Sequence, residues 1–385
     1  MALLEELCSF ERGTGSEGER QAAEWLAERL REAGARVRLE EAPTNGGYWW
    51  PLGAAAAAGL VAAAAAARGR RGLAAAIGSL AAVAAADDLP PRGRRLRRML
   101  PKRSTPNVVA ALGSEGAPYT VVLVAHHDVA HSGLIFHPGI PDTLDRVAPR
   151  FFEVTDTSPP LMWPVAGASG VVALGALTGS RALLRAGTVL SAGVAAAMLD
   201  IGLRPPVPGA NDNGTGVVAL IELARALAER PPQRLRVMLV STSEEATCEG
   251  MHHFAARHFP SLPRERTFFL TLDTLGSPHL CVLRGEGMLG MRDYPPEALA
   301  LVDGLAEELG IWLFPNLRLR NATDGVYPLF AGYPCASLCS CTRLKQPANY
   351  HWDTDVPENV DQGTLDDAIR LAEATVRRLD ERWLG

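Results

Sequence analysis

The side chains that could do chemistry lie in five short segments distributed along the chain. In order, the segments read AHHD, PGANDNGTG, STSEEATCEG, LDTLG and NYHWDTD. They supply His126, Asp128, Asp212, Glu244, Glu245, Asp273, Tyr350 and His351. Imidazole and carboxylate groups together form the nitrogen and oxygen ligand set that suits zinc. Each segment alone also has an ordinary structural explanation, so the prediction of a metal site rests on their combination.

Asp212 lies between a loop and the first turn of an apolar-periodic helix. An isolated aspartate in that position is normally an N-cap that accepts backbone N–H bonds. Because four other segments place metal-type ligands nearby, we favour a different role for it here. We predict that its two carboxylate oxygens bridge two metal ions, which in such sites typically lie roughly 3.5–4 Å apart.

Three of the other segments follow predicted strands. His126 and Asp128 suit a metal-binding imidazole with a carboxylate that fixes its tautomer, although a buried structural histidine is the alternative. Glu244 and Glu245 are adjacent, so one can bind metal while the other takes a proton from metal-activated water; the alternative is a solvated helix start. Asp273 lies inside an apolar strand, where a carboxylate is costly unless it is paired or metal-bound.

In their order and content, these motifs resemble the co-catalytic dizinc aminopeptidase family, metallopeptidase family 28. That family includes bacterial leucyl-type aminopeptidases and relatives of glutamate carboxypeptidase and glutaminyl cyclase. The resemblance covers residues 1–50 and 104–385, and it implies two Zn²⁺ ions per chain. The roles that it implies are His126 and Asp273 on one zinc, Glu245 and His351 on the other, Asp212 as the bridge, Glu244 as general base, Asp128 as the partner of His126, and Tyr350 as a group that steadies the oxyanion.

The resemblance implies a zinc-dependent exopeptidase of the aminopeptidase type, which hydrolyses a peptide or related amide bond with metal-activated water. Two alternatives remain open: a single-zinc acyltransferase like glutaminyl cyclase, and a catalytically inactive, membrane-associated relative. The presence of Glu244 and of all five ligand positions favours the hydrolase. One segment departs from the family pattern, because it keeps an acid at Asp324 but has Gly325 where the family has a histidine.

The periodicity of the chain predicts an α/β fold with a mixed, mostly parallel central sheet and helices on both faces, as in zinc exopeptidases. Strands are expected at 35–42, 107–112 and 119–125, and strands alternate with helices from residue 208 onward. If the first three strands form consecutive antiparallel pairs, His126 lies at the same sheet edge as the end of the first strand. Ligands bind at the carboxyl ends of strands in such sheets.

Two apolar insertions interrupt the predicted dizinc peptidase domain, which is discontinuous and comprises residues 1–47 and 104–385. One apolar helical hairpin is expected at 48–90 and a second at 160–204. Their apolar runs approach the ~20 residues that a membrane-spanning helix needs. A soluble four-helix subdomain and a homo-oligomer interface are the alternatives to membrane association.

Membrane association through 50–88 and 160–204 is favoured by residues near the apolar runs. Trp49, Trp50 and Trp163 lie at the starts of these runs, where an interfacial belt belongs, and a basic stretch covers 92–103. We therefore expect a membrane-associated protein with a cytoplasm-facing catalytic domain, and a soluble cytoplasmic protein is the alternative.

The composition of the chain indicates which classes of partner to expect. The chain has 385 residues and a formal net charge of −5, which gives no global signature of nucleic-acid binding. The six cysteines form no CxxC pair, so buried thiols are favoured over a disulfide or a redox pair. The N-terminal segment has acids where a signal peptide needs a basic start. A peptide or amide substrate and no nucleic acid are expected.

Overall fold

The computed structural model describes residues 1–91, 93–95, 97–381 and 383. The helices are α1 (Ala2–Cys8), α2 (Glu17–Glu32), α3 (Trp49–Ala67), α4 (Arg71–Asp88), α5 (Gly139–Val147), α6 (Arg150–Val154), α7 (Met162–Thr178), α8 (Arg181–Leu203), α9 (Thr215–Glu229), α10 (Glu249–His258), α11 (Pro296–Leu309), α12 (Val326–Ala331) and α13 (Gln362–Glu381). The strands are β1 (Arg36–Thr44), β2 (Arg103–Leu112), β3 (Tyr119–His126), β4 (Leu235–Thr242), β5 (Thr267–Leu272), β6 (His279–Val282), β7 (Gly285–Glu286), β8 (Arg292–Asp293), β9 (Arg318–Leu319) and β10 (Cys335–Cys341).

A seven-stranded sheet of order β1-β2-β4-β3-β5-β10-β6 forms the centre of the molecule. Its four middle strands, β4-β3-β5-β10, run parallel, and the pairings toward both edges are antiparallel. Apolar residues pack on both faces, with α2, α9, α11 and α13 against one face and α10 and α12 against the other. The predicted fold class is therefore confirmed.

The order of the first strands differs from the expected one. β4 lies between β2 and β3, because Ser241 of β4 is opposite Val108 on one side and Ala125 on the other. The physical reason is that β3 is buried and apolar from Val121 to Ala125, which suits a central position between parallel neighbours. β3 still runs antiparallel to β2. The end of β1 and His126 therefore lie at the same end of the sheet, as predicted. Thr44, where the first insertion leaves the sheet, is paired with Arg103 at the sheet end where His126 lies.

The four apolar helices α3, α4, α7 and α8 pack against one another as a single four-helix unit. They approach closely at Gly59, where an added Cβ would lie 2.6 Å from the hydroxyl oxygens of both Ser169 and Ser191. Within the part of the chain that the structure describes, α3 and α8 are long and apolar enough to cross a membrane. Only 22% of the most apolar stretch of α8 is buried within the molecule.

Some residues that suggested a membrane interface have other positions. Trp49 is buried, and its ring lies 4.3 Å from the ring of His131. Arg94 and Arg97 of the basic stretch are also buried, because they bind groups inside the protein. Arg92 of the same stretch lies outside the described residues. Trp50 and Trp163 are exposed, as an interfacial position requires.

Candidate metal centre

The carboxyl ends of the parallel strands bring the predicted ligands to one end of the sheet. His126 is the last residue of β3, Glu245 follows β4 and Asp273 follows β5 directly. Asp212 precedes α9, and His351 lies in the loop between β10 and α13, where its backbone is left-handed with φ of 51°. Chain segments that are far apart in sequence therefore meet in one place, as expected for an α/β sheet.

The five candidate ligands form two groups that share one residue. His126, Asp212 and Asp273 offer ligand atoms within 4.8 Å of one another, and so do Asp212, Glu245 and His351. Nε2 of His126 lies 3.2 Å from Oδ1 of Asp212, whereas Nε2 of His351 lies 3.3 Å from Oδ2. The two carboxylate oxygens of Asp212 thus face different groups, as a bridging ligand requires.

The ionisation of the cluster reflects many buried acids around two imidazoles. Burial opposes a charged ring, but the charge of Glu245 and the hydrogen bond with Asp212 raise the pKa of His351 to about 10. Burial also opposes ionisation of Asp212, yet hydrogen bonds with both histidines lower the pKa of its carboxyl group. For Asp273, burial raises the pKa to about 7 despite the charge of His126.

This arrangement fits divalent cations. Two buried and two half-buried carboxyl groups surround two imidazoles, and acids in such surroundings are stable when cations neutralise them. The imidazole and carboxylate donor set is one that zinc accepts. Because metal and protons compete for the same ligand atoms, binding of a metal would release the protons that the histidines otherwise hold.

Asp128 holds two parts of the site together. Its carboxylate accepts hydrogen bonds from the backbone N–H groups of Glu244 at 2.8 Å and Glu245 at 3.1 Å, and from the hydroxyl of Thr14 at 2.6 Å. One of its oxygens also lies 3.2 Å from Nδ1 of His126. Asp128 therefore lies where the predicted partner of His126 belongs, and it also aligns the loop that carries the two glutamates.

Glu244 lies beside the two ligand groups and belongs to neither. Its Oε2 accepts a hydrogen bond of 3.0 Å from the backbone N–H of Asp324. Burial and the charge of Asp273 raise the pKa of Glu244 well above that of an ordinary glutamate. A carboxylate with high proton affinity beside a ligand cluster is suited to general base chemistry.

Asp355 is a residue of the candidate site that the sequence analysis missed. It accepts hydrogen bonds from the backbone N–H groups of Asn211 at 2.7 Å and Asp212 at 3.0 Å, so it orients the segment that carries the shared ligand. Burial raises its pKa to about 7. The available signal was a second acid in the HWDTD segment, but nothing in the sequence showed that it would be buried.

Arg12 and Tyr48 were also missed. The buried guanidinium of Arg12 donates to the carbonyl oxygens of His127 at 3.0 Å and Gly209 at 2.8 Å, so it connects two ligand-bearing loops. Tyr48 lies just before α3 and lines the same cavity as the ligands. Burial, together with the charge of Glu245, raises the pKa of Tyr48, so its hydroxyl stays protonated.

A cavity of ≈ 610 Å³ adjoins the cluster and is lined by Asp212, Glu244, Glu245, Asp273 and His351. Tyr350 lines it too, with its ring stacked on His351 at a centroid distance of 3.8 Å. The hydroxyl oxygen of Tyr350 accepts a hydrogen bond of 3.0 Å from the side-chain amide of Asn321. Among the described residues no acceptor binds its own hydrogen, which is therefore available as a donor to another group.

At Gly325 the structure explains the missing histidine. An added Cβ would lie 2.6 Å from the hydroxyl of Tyr294, 2.9 Å from Oγ1 of Thr271 and 3.0 Å from Oε1 of Glu286. The Tyr294 hydroxyl donates to Glu286 at 2.6 Å, so a packed polar pair fills the space. A histidine side chain does not fit at this position without rearrangement.

The molecule has a mixed α/β fold, and the candidate ligands meet at one end of its parallel strands. Residues 194–376 match the model of peptidase family M28, which confirms the family resemblance predicted from the motifs. The matched stretch contains Asp212, Glu244, Glu245, Asp273 and His351. No protein of curated function matches this chain in sequence.

Solved structures share the fold at low sequence identity. Glutaminyl cyclase of Tannerella forsythia is 18% identical with a TM-score of 0.56, over 97% of this chain and 96% of that chain. A leucine aminopeptidase precursor of Bacteroides thetaiotaomicron VPI-5482 is 15% identical with a TM-score of 0.57, over 97% and 94%. A Zn-dependent exopeptidase of Parabacteroides distasonis is 15% identical with a TM-score of 0.54, over 98% and 95%. Likeness at this identity shows the fold alone.

Proposed function

We propose that the protein is a zinc-dependent exopeptidase of the aminopeptidase type, which hydrolyses a peptide or related amide bond. The observation that carries the proposal is Asp212, whose two oxygens lie 3.2 and 3.3 Å from the ring nitrogens of two different histidines. His126, Asp212 and Asp273 would hold one zinc, and Asp212, Glu245 and His351 the other. When bound, zinc supplies polarisation of a carbonyl group and lowers the pKa of water.

Glu244 is the proposed general base. Its carboxylate takes a proton from the attacking water and passes it to the leaving nitrogen, so that an amide and water become a carboxylic acid and an amine. The N–H of Asp324 binds one of its oxygens, which leaves the other oxygen for the water. Asp128 holds Nδ1 of His126 and thereby sets the tautomer of that ring. Tyr350 is the proposed donor to the carbonyl oxygen as negative charge develops on it.

A single-zinc acyltransferase like glutaminyl cyclase is the second candidate function. Glutaminyl cyclases are among the solved structures with this fold, so the fold does not separate the two activities. The two complete ligand groups favour two metal ions and hydrolysis. Metal analysis of the purified protein should give two zinc ions per chain, whereas one zinc per chain would favour the cyclase.

Replacement Glu244→Gln tests the mechanism and also addresses the third candidate, an inactive relative. Loss of the base should lower kcat on aminoacyl or N-acyl amide substrates by about 10²–10⁴-fold. Zinc content should stay the same, because Glu244 belongs to neither ligand group. Glu222→Gln, on the surface of α9, is the matched control and should keep full activity. A Glu244→Gln protein with wild-type kcat would refute the assigned base.

The insertions lead to a proposal about location. The discontinuous peptidase domain, residues 1–47 and 104–385, would carry a membrane-associated unit formed by 48–90 and 160–204. Length and composition of α3 and α8 support this, and so do the many exposed apolar side chains on the four helices. The catalytic domain would face the cytoplasm. A homo-oligomer that buries the same helix surfaces is the second candidate arrangement.

A further inference from the structure

The cavity beside the ligand cluster continues along one face of α8. Leu190, Val194, Met198 and Ile201 all line it, and their spacing of three or four residues places them on the same side of the helix. From Val189, which also lines it, to Ile201 the helix extends about 18 Å, at ~1.5 Å per residue. A long groove with an apolar wall therefore ends at the candidate metal centre.

The facing wall is apolar as well. It includes Met162 and Val165 of α7 and Leu283, Met288 and Leu317 of the peptidase domain. An extended peptide of that length would have about five residues, at ~3.3–3.6 Å each. Every one of them would bring a backbone N–H and C=O that need partners when buried. A hydrocarbon chain needs none, so it suits these walls better than a peptide does.

The far end of the groove lies at the surface of the four-helix unit. Val189 is 72% exposed and Leu190 is 40% exposed, whereas Asp212 and His351 at the other end are buried. The surrounding surface is the apolar one that we propose to contact a membrane. A chain can therefore enter from that side with its reactive group leading toward the cluster.

We propose that the substrate is an amphiphilic amide that carries one long alkyl chain, and that this chain lies along α8. Roughly 14 carbon atoms would fill the groove, because carbon–carbon bonds of ~1.5 Å advance an extended zigzag chain by about 1.3 Å each. This proposal rests on the proposed hydrolase function and specifies its substrate class. The amide bond is cleaved by water, so that an N-acyl amino acid yields a fatty acid and an amino acid. An amide of a long-chain amine yields a short acid and the amine.

Gly193 offers a direct test, because it lines the cavity and a Cβ added there meets no atom within 4 Å. A tryptophan at this position should obstruct the groove, because no neighbouring atom opposes its Cβ. Gly167 on α7 is the matched control, since its added Cβ also meets nothing within 4 Å and it does not line the cavity. Gly193→Leu gives a smaller obstruction should Gly193→Trp fold poorly.

The first measurement is kcat/KM of the zinc-loaded protein on N-acyl-leucines with acyl chains of two, eight, twelve and sixteen carbons. A parallel series of leucyl alkylamides tests a chain on the amine side. In one of the two series, kcat/KM should rise with chain length by up to about fourfold per methylene. This factor corresponds to the ~0.8 kcal/mol gained when one methylene is buried. Gly193→Trp should remove that rise, whereas Gly167→Trp should keep it as in the wild type.

The second measurement is binding of dodecanoic acid and dodecylamine by equilibrium dialysis, which does not depend on turnover. If short substrates are cleaved with no effect of chain length, and neither probe binds, the alkyl-chain site is refuted and the hydrolase remains. If no amide is cleaved but a probe binds wild type and not Gly193→Trp, the hydrolase is refuted and the alkyl-chain site remains.

Discussion

Glu286 is a buried acid that, together with Tyr294, fills the space beside Gly325 where the family pattern has a histidine side chain. It accepts hydrogen bonds from the Tyr294 hydroxyl at 2.6 Å and the backbone N–H of Thr323 at 2.8 Å. Burial, despite these hydrogen bonds, raises its pKa to about 7. The group therefore keeps its proton in the folded state at pH values where the unfolded chain has lost it, and folding stability falls as pH rises between the two pKa values.

Glu286→Gln should remove this dependence. Between pH 5 and pH 8 the wild type should lose about 2–3 kcal/mol of unfolding free energy from this group, given a folded pKa of about 7 against ~4.3 in model peptides. The unfolding free energy of the variant, relative to that of the wild type, should therefore increase by the same amount between pH 5 and pH 8. Urea denaturation at both pH values measures it. An unchanged difference would mean that Glu286 titrates normally in the folded protein.

The end of α4 is tied to the glutamate-bearing loop by a buried ion pair. Arg97 donates to the carboxylate of Asp88 at 2.9 and 2.6 Å and to the carbonyl oxygen of Ala246 at 2.6 Å. Both side chains are only 2% exposed. Since Ala246 follows Glu245 in the chain, this contact connects the first insertion to the candidate metal centre.

Arg97→Met should destabilise the fold by about 3–5 kcal/mol, because it leaves the Asp88 carboxylate buried without its partner. The matched control is Arg95→Met, whose side chain is 84% exposed and pairs with Asp87 at 3.8 Å. A surface pair of that kind contributes only about 0–1 kcal/mol. Chemical denaturation of both variants measures the loss of unfolding free energy. Equal losses would mean that the buried pair stabilises the fold no more than the surface pair does.

The four-helix unit is the part of the protein that we propose to contact a membrane. Val61 of α3 and Ala192 of α8 are exposed near the middle of the two candidate spans. An aspartate at the centre of a spanning helix costs about 2.5–3.5 kcal/mol of insertion free energy. Val61→Asp and Ala192→Asp should therefore move the protein from the membrane fraction toward the soluble fraction.

Trp312→Asp is the control for that experiment, because Trp312 is an exposed apolar side chain outside the insertions. Flotation of the expressed proteins with lipid vesicles measures the distribution. A wild-type protein found wholly in the soluble fraction would refute membrane association. A change of oligomeric state in Val61→Asp and Ala192→Asp would instead support the interface between copies.

Much of the fold could be predicted because it is encoded locally. The apolar periodicity of α9 and the continuous apolar run of β3 give the element type without any knowledge of neighbours. The strand order could not be predicted, since pairing of β4 between β2 and β3 is a choice among partners distant in the chain. Asp355, Arg12 and Tyr48 were missed for the same reason: an isolated acid, arginine or tyrosine carries no signal until burial and a partner are known.

The chain alone determined which chemistry is available. Its histidines and carboxylates, and the order of the motifs that hold them, are properties of residue types and spacing. Only the tertiary structure decided that the oxygens of Asp212 face two separate groups, and that one wall of the adjoining cavity comes from α8. Such contacts join residues far apart in sequence, and their geometry depends on how the sheet and the inserted helices pack, which local patterns do not contain.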